Sequence, residues 1–332
     1  MKADFHVRLE EGPYSLEWLN RTAESLQAAH RQDEGQGRRE WAEEMVGRLA
    51  VRLQKGPFSR EWLDLYLRQA KKAGLQEVCI AEHLYRFSEG KPYYEKHLHL
   101  GGDQAGRAQR RWLEQVAVDS LSDYVAFLRE ERPRWEEAGV ALRIGLELDY
   151  FPGGEADLAC FIEQGPWDVC IGAVKFPKGL GLIVADSRER LKRMERSVLY
   201  SHYFDWLEQA VQSGLFDLLA YDDGLQSFGF MRDETALLPY YQRIARALRR
   251  RDVAAELPTS LLASTPQRGG SPSGRWLEIL AHHEVPVTVA SRACYPEQVG
   301  QHWAEACATL KRAGYCGVVL FADRKRRLAA FA

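Results

Sequence analysis

The chain has 332 residues, of which 45% are hydrophobic and 28% charged, and its formal net charge is -2. A charge so close to neutral gives no electrostatic basis for binding nucleic acid. No stretch approaches the roughly 18 apolar residues of a membrane helix, and Asp4, His6 and Arg8 stand where a signal peptide would be apolar. The six cysteines form no CxxC pair, as expected of reduced thiols. We therefore expect a cytoplasmic protein without a membrane or nucleic-acid partner.

Short apolar runs rich in β-branched residues recur along the chain and predict strands. They lie at 5–7, 78–81, 144–148, 169–174, 218–220, 253–257, 285–290 and 318–321. Between them, apolar residues recur three or four positions apart, as in amphipathic helices, and Gly74, Gly214 and Gly314 are predicted helix ends. This alternation predicts a mostly parallel α/β sheet, and about eight such units favour closure into a barrel.

The remaining segments are predicted to be helix starts or surface structure. Ser15 and Ser59 each follow a proline by two residues and are predicted N-caps. The basic run at 324–327 is predicted to be a solvated tail. We expect one domain over residues 1–332, with surface excursions near 31–44, 88–112 and 264–275.

Polar residues end one predicted strand after another, which in a barrel places them on the functional face. In an extended backbone His6 and Arg8 point to the same side, where two histidines would bind a metal. An arginine stays protonated and has no lone pair to donate. The other members of this set are Glu82, His83, Glu147, Lys175, Tyr221, Asp222, Asp223 and Arg292.

Several of these segments together resemble the polymerase-and-histidinol-phosphatase (PHP) family, in its histidinol-phosphatase branch. The resemblance rests on residues 4–8, 81–87, 145–153, 171–176, 213–221, 285–294 and 313–315. It implies a distorted (β/α)7 PHP barrel, a cluster of three divalent metals, and hydrolysis of the phosphate monoester histidinol phosphate by metal-bound water. Multi-metal sites act in this way because the ions generate the nucleophile and neutralise the phosphoryl oxygens.

Carried over position by position, the resemblance implies an incomplete metal site. His6, His83 and Glu147 match family ligands, with Glu147 as the expected bridging carboxylate. Two unit charges about 4 Å apart interact by about 4 kcal/mol at an effective dielectric near 20, so a cation facing a metal opposes its binding. We expect no bound metal, or at most one weak zinc, manganese or iron ion on His6, His83 and Glu147. The other ligand positions hold Arg8, Tyr14, Lys175, Tyr221, Arg292 and Cys294.

The cations among these replacements indicate phosphate binding. Arg8, Lys175 and Arg292 would surround the position at which metals neutralise a phosphate, with Glu82, Tyr221, Asp223 and Cys294 lining the pocket. The first hypothesis is a catalytically impaired homologue that binds a small phosphorylated metabolite or a protein partner. The cations could equally pair with Glu147, Glu82, Asp222 and Asp223 and fill the cavity with ion pairs.

Two further functions stay open on the sequence. The first is an active phosphoesterase with a single metal on catalytic His6, His83 and Glu147, in which Arg8 and Arg292 clamp the phosphate. The second is a non-enzymatic scaffold or interaction protein. Two smaller possibilities are a metal site at His97 and His99, in a predicted loop, and Cys294 as a nucleophile.

Overall fold

Seven parallel strands form the centre of the fold. The computed structural model describes residues 1–30, 37–220, 225, 230, 234–259 and 274–331. Each strand pairs in parallel with the next one along the chain. The strands are β1 Ala3–Val7, β2 Glu77–His83, β3 Ala141–Asp149, β4 Val169–Ala173, β5 Leu218–Leu219, β6 Ala254–Pro258 and β7 Val287–Ala290.

The first and last strands meet and nearly close the sheet. Val7, at the end of β1, forms a parallel bridge with Ala293, just beyond β7. The Arg8 N–H donates to the Ala293 carbonyl at 2.7 Å. Every residue of β1 and β2 is buried, as expected of parallel strands covered on both faces. The predicted barrel of the (β/α)7 type is therefore confirmed.

Helices cover the outside of the barrel and follow the predicted pattern. Gly74, Gly214 and Gly314 lie beyond helix ends at φ of 69°, 71° and 98°, which confirms them as helix stops. Ser15 caps its helix by accepting from the Trp18 N–H at 3.2 Å, whereas Ser59 holds the cap position without that bond. The helices are α1 Leu16–Ala29, α2 Arg38–Lys55, α3 Arg60–Lys72, α4 Lys91–His97, α5 Gln104–Val116, α6 Leu121–Glu137, α7 Glu155–Gln164, α8 Ala185–Lys192, α9 Arg196–Gln212, α10 Leu238–Arg251, α11 Gly274–His282 and α12 Trp303–Arg312.

The eighth predicted strand does not join the barrel. It forms β8, Gly317–Ala322, which pairs antiparallel with β9, Lys325–Ala330. The run predicted as a solvated tail at 324–327 is exposed over Lys325 to Arg327, as predicted, but it lies in an ordered strand and its turn, not in a tail. Arg324 pairs with Asp217 at 2.9 Å, Arg326 with Asp252 at 2.8 Å, and Arg327 with Glu77. These carboxylates stand where β2, β5 and β6 begin, so the basic run is held against the N-terminal end of the barrel.

The three predicted excursions differ in structure. Residues 88–112 include α4 and most of α5, and Tyr93 and Tyr94 of α4 are buried. His97 ends α4, so its assignment to a loop is wrong. Residues 38–44 open α2, while 31–36 and 264–273 lie outside the described residues. In the described part of the chain, no helix has both the length and the apolar character of a membrane span.

Candidate functional site

A cavity of about 960 Å³ opens at the C-terminal ends of the strands. Arg8, His83, Lys175, Arg292 and Cys294 all line it. The structure therefore brings the three predicted cations to one place. This is the end of a parallel barrel at which loops and strand ends present functional side chains.

Glu147 of β3 is the centre of the polar network beneath this cavity. His6 Nε2 lies 2.8 Å and His83 Nδ1 2.7 Å from the same oxygen, Glu147 Oε2. The Lys175 ammonium donates to the other oxygen, Oε1. His83 and Glu147 are register partners on adjacent strands, which fixes their side-by-side placement. Glu147 is 1% exposed, so its charge depends on these neighbours.

Glu256 of β6 belongs to the same network, although the sequence pattern did not single it out. Its Oε2 lies 3.1 Å from His6 Nδ1, and its Oε1 accepts from Arg292 Nε at 2.5 Å. The available signal was a glutamate inside the apolar run 253–257, because a charge in a buried strand requires partners. Glu256 therefore joins His6 to Arg292 across the barrel.

Arg8 contacts the network without a carboxylate partner. Its Nη1 lies 2.5 Å from His83 Nε2, and its Nη2 donates to the Arg292 carbonyl at 3.2 Å. Its Nε is buried without a hydrogen-bond partner. Within the described residues, no Asp or Glu forms an ion pair with Arg8, in contrast to Lys175 and Arg292.

The two histidines differ in charge. Burial opposes protonation of His6, but the carboxylates of Glu256 and Glu147 outweigh it and raise its pKa. For His83, burial lowers the pKa well below its usual value, and Lys175 and Arg8 lower it further against the pull of Glu147. His6 is therefore the protonated partner of two carboxylates, and His83 is a neutral imidazole.

The two central carboxylates are ionised. Burial raises the pKa of Glu147, but contact with the N–H of neutral His83 and the positive charges of Lys175 and His6 bring it well below the usual value. Burial is likewise outweighed at Glu256, where Arg292 and His6 lower the pKa to about 2. The two carboxylates thus contact Lys175, Arg292 and the protonated His6, while Arg8 contacts His83.

Two further carboxyls border the site and hold their protons more strongly. Burial raises the pKa of Glu82 to about 7, although its Oε1 accepts the Leu9 N–H at 2.5 Å. Burial also raises the pKa of Asp149 to about 7, while its Oδ2 accepts from the Tyr94 hydroxyl at 2.9 Å. Both groups therefore titrate near neutral pH.

The other predicted residues are less involved. Burial raises the pKa of the Cys294 thiol to about 12, which disfavours the thiolate that a nucleophile requires. Tyr14 is 45% exposed and packs edge-on against Trp18 with the ring centroids 4.9 Å apart. Tyr221, Asp222 and Asp223 lie outside the described residues.

The second histidine pair makes separate contacts. His97 stacks on Phe151 with the ring centroids 5.0 Å apart. His99 Nε2 lies 3.0 Å from Asp103 and 2.8 Å from Arg190 Nη1. The two imidazoles therefore serve helix packing and a surface ion pair.

As arranged here, the donors at Glu147 do not fit a divalent ion. Both nitrogens of His6 face carboxylates, and His83 is contacted by Arg8 and Lys175. The donors thus point at one another and at cations of the chain. No group of three or more His, Cys, Asp or Glu side chains in the described part is disposed to hold a metal.

The fold and the site together define a parallel PHP-type barrel with histidines, carboxylates and cations at the C-terminal ends of its strands. The chain is 26% identical over 262 residues to a probable histidinol-phosphatase of Deinococcus radiodurans, covering 75% of this chain and 86% of that protein. No family model matches the sequence.

Two solved histidinol-phosphatase structures have the same fold. The Lactococcus lactis enzyme, in complex with zinc, L-histidinol and phosphate, aligns at a TM-score of 0.62 and 16% identity, covering 80% of this chain and 92% of that one. A putative histidinol phosphatase of Listeria monocytogenes aligns at 0.63 and 15%, covering 92% and 100%. The chain is thus similar in sequence to one histidinol phosphatase and in fold to two others, which confirms the resemblance inferred from its motifs.

Proposed function

We propose that this histidinol-phosphatase homologue binds a small phosphorylated metabolite at the C-terminal end of its barrel and is impaired in hydrolysing it. The observation that carries the proposal is the convergence of Arg8, Lys175 and Arg292 on one cavity. Guanidinium and ammonium groups bind phosphate oxygens by charge-assisted hydrogen bonds. Histidinol phosphate is the first ligand to test, because the Lactococcus relative was solved with L-histidinol and phosphate.

The net charge of the site supports an anionic ligand. Arg8, Lys175 and Arg292 carry three positive charges, and the raised pKa of His6 adds a fourth. Glu147 and Glu256 contribute two negative charges, since their pKa values are lowered. Glu82 and Asp149, with pKa values of about 7, together add about one more at neutral pH, which leaves the buried network with about one excess positive charge, while Glu11 and Glu17 line the outer cavity. A partly buried site with excess positive charge attracts anions more strongly than the same charges in open solvent.

The three cations are not equivalent in this proposal. Lys175 pairs with Glu147 and Arg292 with Glu256, so a phosphate competes with a carboxylate at both residues. The pair of Lys175 with Glu147 is one of those expected if ion pairs fill the cavity, whereas Glu256, the partner of Arg292, is not among the carboxylates predicted for that alternative. Arg8 has no such carboxylate pair within the described residues and is therefore the primary phosphate anchor.

Impaired hydrolysis follows from the same contacts. The resemblance implies a metal-bound water as the nucleophile, and the donors that would hold the metal are engaged by Lys175 and Arg8. We infer that the phosphate ester is bound and oriented without this nucleophile.

Calorimetry combined with a phosphate-release assay tests the proposal. Histidinol phosphate and inorganic phosphate are titrated into the protein in excess EDTA, and release is measured with and without added zinc or manganese. We expect binding in EDTA, no metal-dependent turnover, and at least a ten-fold loss of affinity in Arg8→Gln. The matched control is Arg39→Gln, whose side chain is 93% exposed on α2.

The other outcomes separate the competing functions. Metal-dependent turnover that Glu147→Gln abolishes would establish the active phosphoesterase instead. Absence of heat with every phosphorylated compound, in folded protein, would favour the scaffold. Equal affinities of Arg8→Gln and the control would remove Arg8 as the anchor.

A further inference from the structure

Lys175 follows β4 and places its ammonium between two potential metal ligands. Its Nζ donates to Glu147 Oε1 and lies 3.0 Å from His83 Nδ1. The side chain is 19% exposed, so this charge is largely withdrawn from water. The ammonium therefore faces the same two groups that a bound cation would contact.

The donors around Lys175 have the composition of a zinc site. His6 Nε2 and His83 Nδ1 both lie within 2.8 Å of Glu147 Oε2, which gives two imidazoles and one carboxylate. This donor set is common for zinc in proteins. His6 also contacts Glu256 through its other nitrogen, as ligating histidines commonly contact a carboxylate.

We propose that the Lys175 ammonium is the resident cation of this site and that it excludes a divalent ion, so that its removal lets His6, His83 and Glu147 bind one such ion. The inference deepens the proposed function, since it attributes metal independence to a single side chain. The Lys175 ammonium contacts both Glu147 and His83 and so fixes their positions, as a bound metal ion would. It repels a second cation at the same position.

Arg8 limits how much zinc affinity the removal of Lys175 can produce. Its Nη1 contacts His83 Nε2, so a positive charge stays beside the donors when Lys175 is absent. We expect Lys175→Met to bind one equivalent of zinc at least ten-fold more tightly than the unaltered chain. Adding Arg8→Gln to Lys175→Met is expected to tighten this binding further.

Zinc calorimetry and elemental analysis after dialysis test the inference with a readout independent of activity. The set comprises the unaltered chain, Lys175→Met, Lys175→Met with Glu147→Gln, and the control Lys178→Met. Lys178 is an exposed lysine three residues further along the same segment. One equivalent of zinc in Lys175→Met, lost on adding Glu147→Gln and absent from the control, is the expected result.

Two results would overturn the inference. One is stoichiometric zinc in the unaltered chain at the affinity of Lys175→Met. The other is a folded Lys175→Met, verified by circular dichroism, that gains no zinc. Should Lys175→Met not fold, Lys175→Gln replaces it under the same criteria, and the titration of the unaltered chain still decides the first result. Phosphate binding in EDTA is measured separately, so the proposed function can stand when this inference fails.

Discussion

Glu256 shows how one buried residue can set the charge of the whole site. Its side chain is fully buried and contacts His6 at 3.1 Å and Arg292 at 2.5 Å. Removing a buried carboxylate from its two cationic partners is destabilising, yet the carboxylate also lowers the positive charge available to a ligand. Stability and anion binding therefore make opposite demands on this residue.

Replacing Glu256 by glutamine is expected to separate these two demands. Loss of one partner from a buried ion pair is expected to lower the free energy of unfolding by about 3 kcal/mol. Phosphate affinity is expected to rise, because one negative charge is removed from the site. Urea denaturation and phosphate calorimetry measure the two quantities, with Glu278→Gln, 59% exposed, as the control. Weaker phosphate binding in a folded Glu256→Gln would contradict the charge argument.

Glu82 gives a pH dependence whose sign can be worked out. Burial raises its folded-state pKa from 4.5 to about 7, so the folded protein holds a proton that the unfolded chain releases above about pH 4.5. This group therefore stabilises the fold below about pH 4.5, and its contribution is lost as the pH rises to about 7. Glutamine has no ionisable carboxyl group, so the stability of Glu82→Gln does not fall with pH for this reason.

We expect Glu82→Gln to gain about 2 to 3 kcal/mol of stability relative to the unaltered chain between pH 5 and pH 8. Urea denaturation at the two pH values measures the difference. Glu130→Gln, at a side chain that is 76% exposed, is the control. Parallel pH profiles of Glu82→Gln and the unaltered chain would mean that Glu82 is already ionised at pH 5.

Most of the described site could be predicted from the sequence, because its members end strands. His6, Arg8, His83, Glu147, Lys175 and Arg292 were predicted as site residues, and the structure brings them together. Glu256 was not, because one charge inside an apolar run does not indicate its partners. These partners are 250 residues away at His6 and 36 away at Arg292. Pairing of cations with particular carboxylates likewise depends on three-dimensional packing.

Among the helices, α2 is attached to the barrel in an unusual way. Its one buried residue is Arg52. The guanidinium carbon of Arg52 lies 4.7 Å from the Trp62 ring centroid and 5.6 Å from that of Trp18, and Nη2 donates to Glu10 at 2.7 Å. Since Trp18 lines the cavity, this contact joins α2 to the cavity wall.

Replacing Arg52 by methionine is expected to destabilise this attachment. It leaves buried Glu10 without its arginine partner on α2, and breaking a buried pair costs about 3 to 5 kcal/mol. Urea denaturation gives the loss of stability, and hydrogen exchange shows whether it is concentrated in α1 and α2. Arg48→Met is the matched control, because Arg48 is 39% exposed and pairs with Glu44 on the same helix. Equal losses in the two variants would contradict the special role of Arg52.

Strands could be predicted better than the elements that cover them. The seven barrel strands lie where apolar runs predicted them, because parallel strands buried on both faces have a continuous apolar pattern. The strand β9 has four exposed residues, Lys325 to Leu328, and gives no such signal. It pairs with the adjacent β8, and its arginines form ion pairs with carboxylates far away in the sequence, which a local pattern does not indicate.

Across the whole molecule, the barrel separates an end held by structural ion pairs from the end that carries the cavity. Asp168, at the N-terminal end, accepts from the Ile144 N–H at 2.8 Å, Arg132 at 2.6 Å and the Asp323 N–H at 3.1 Å. It thus joins β3, α6 and the loop between β8 and β9. The cations that line the cavity lie at the opposite end of the barrel. The two ends of a strand as long as β4, which has 5 residues, are roughly 15 Å apart.

Asp168→Ala is expected to reduce stability without changing ligand binding. It leaves the buried N–H of Ile144 without its side-chain partner and removes the ion pair with Arg132, at an expected cost of about 3 to 5 kcal/mol. Salt screens most of the electrostatic interaction between groups this far apart. The phosphate affinity of the folded Asp168→Ala protein is therefore expected to stay within two-fold of that of the unaltered chain. Arg8→Gln should show the reverse, with weaker phosphate binding and little change in unfolding. Urea denaturation and phosphate calorimetry give the free energy of unfolding and the phosphate affinity of each variant. A ten-fold loss of phosphate affinity in Asp168→Ala, measured under conditions in which it is folded, would mean that the two ends are coupled through the barrel.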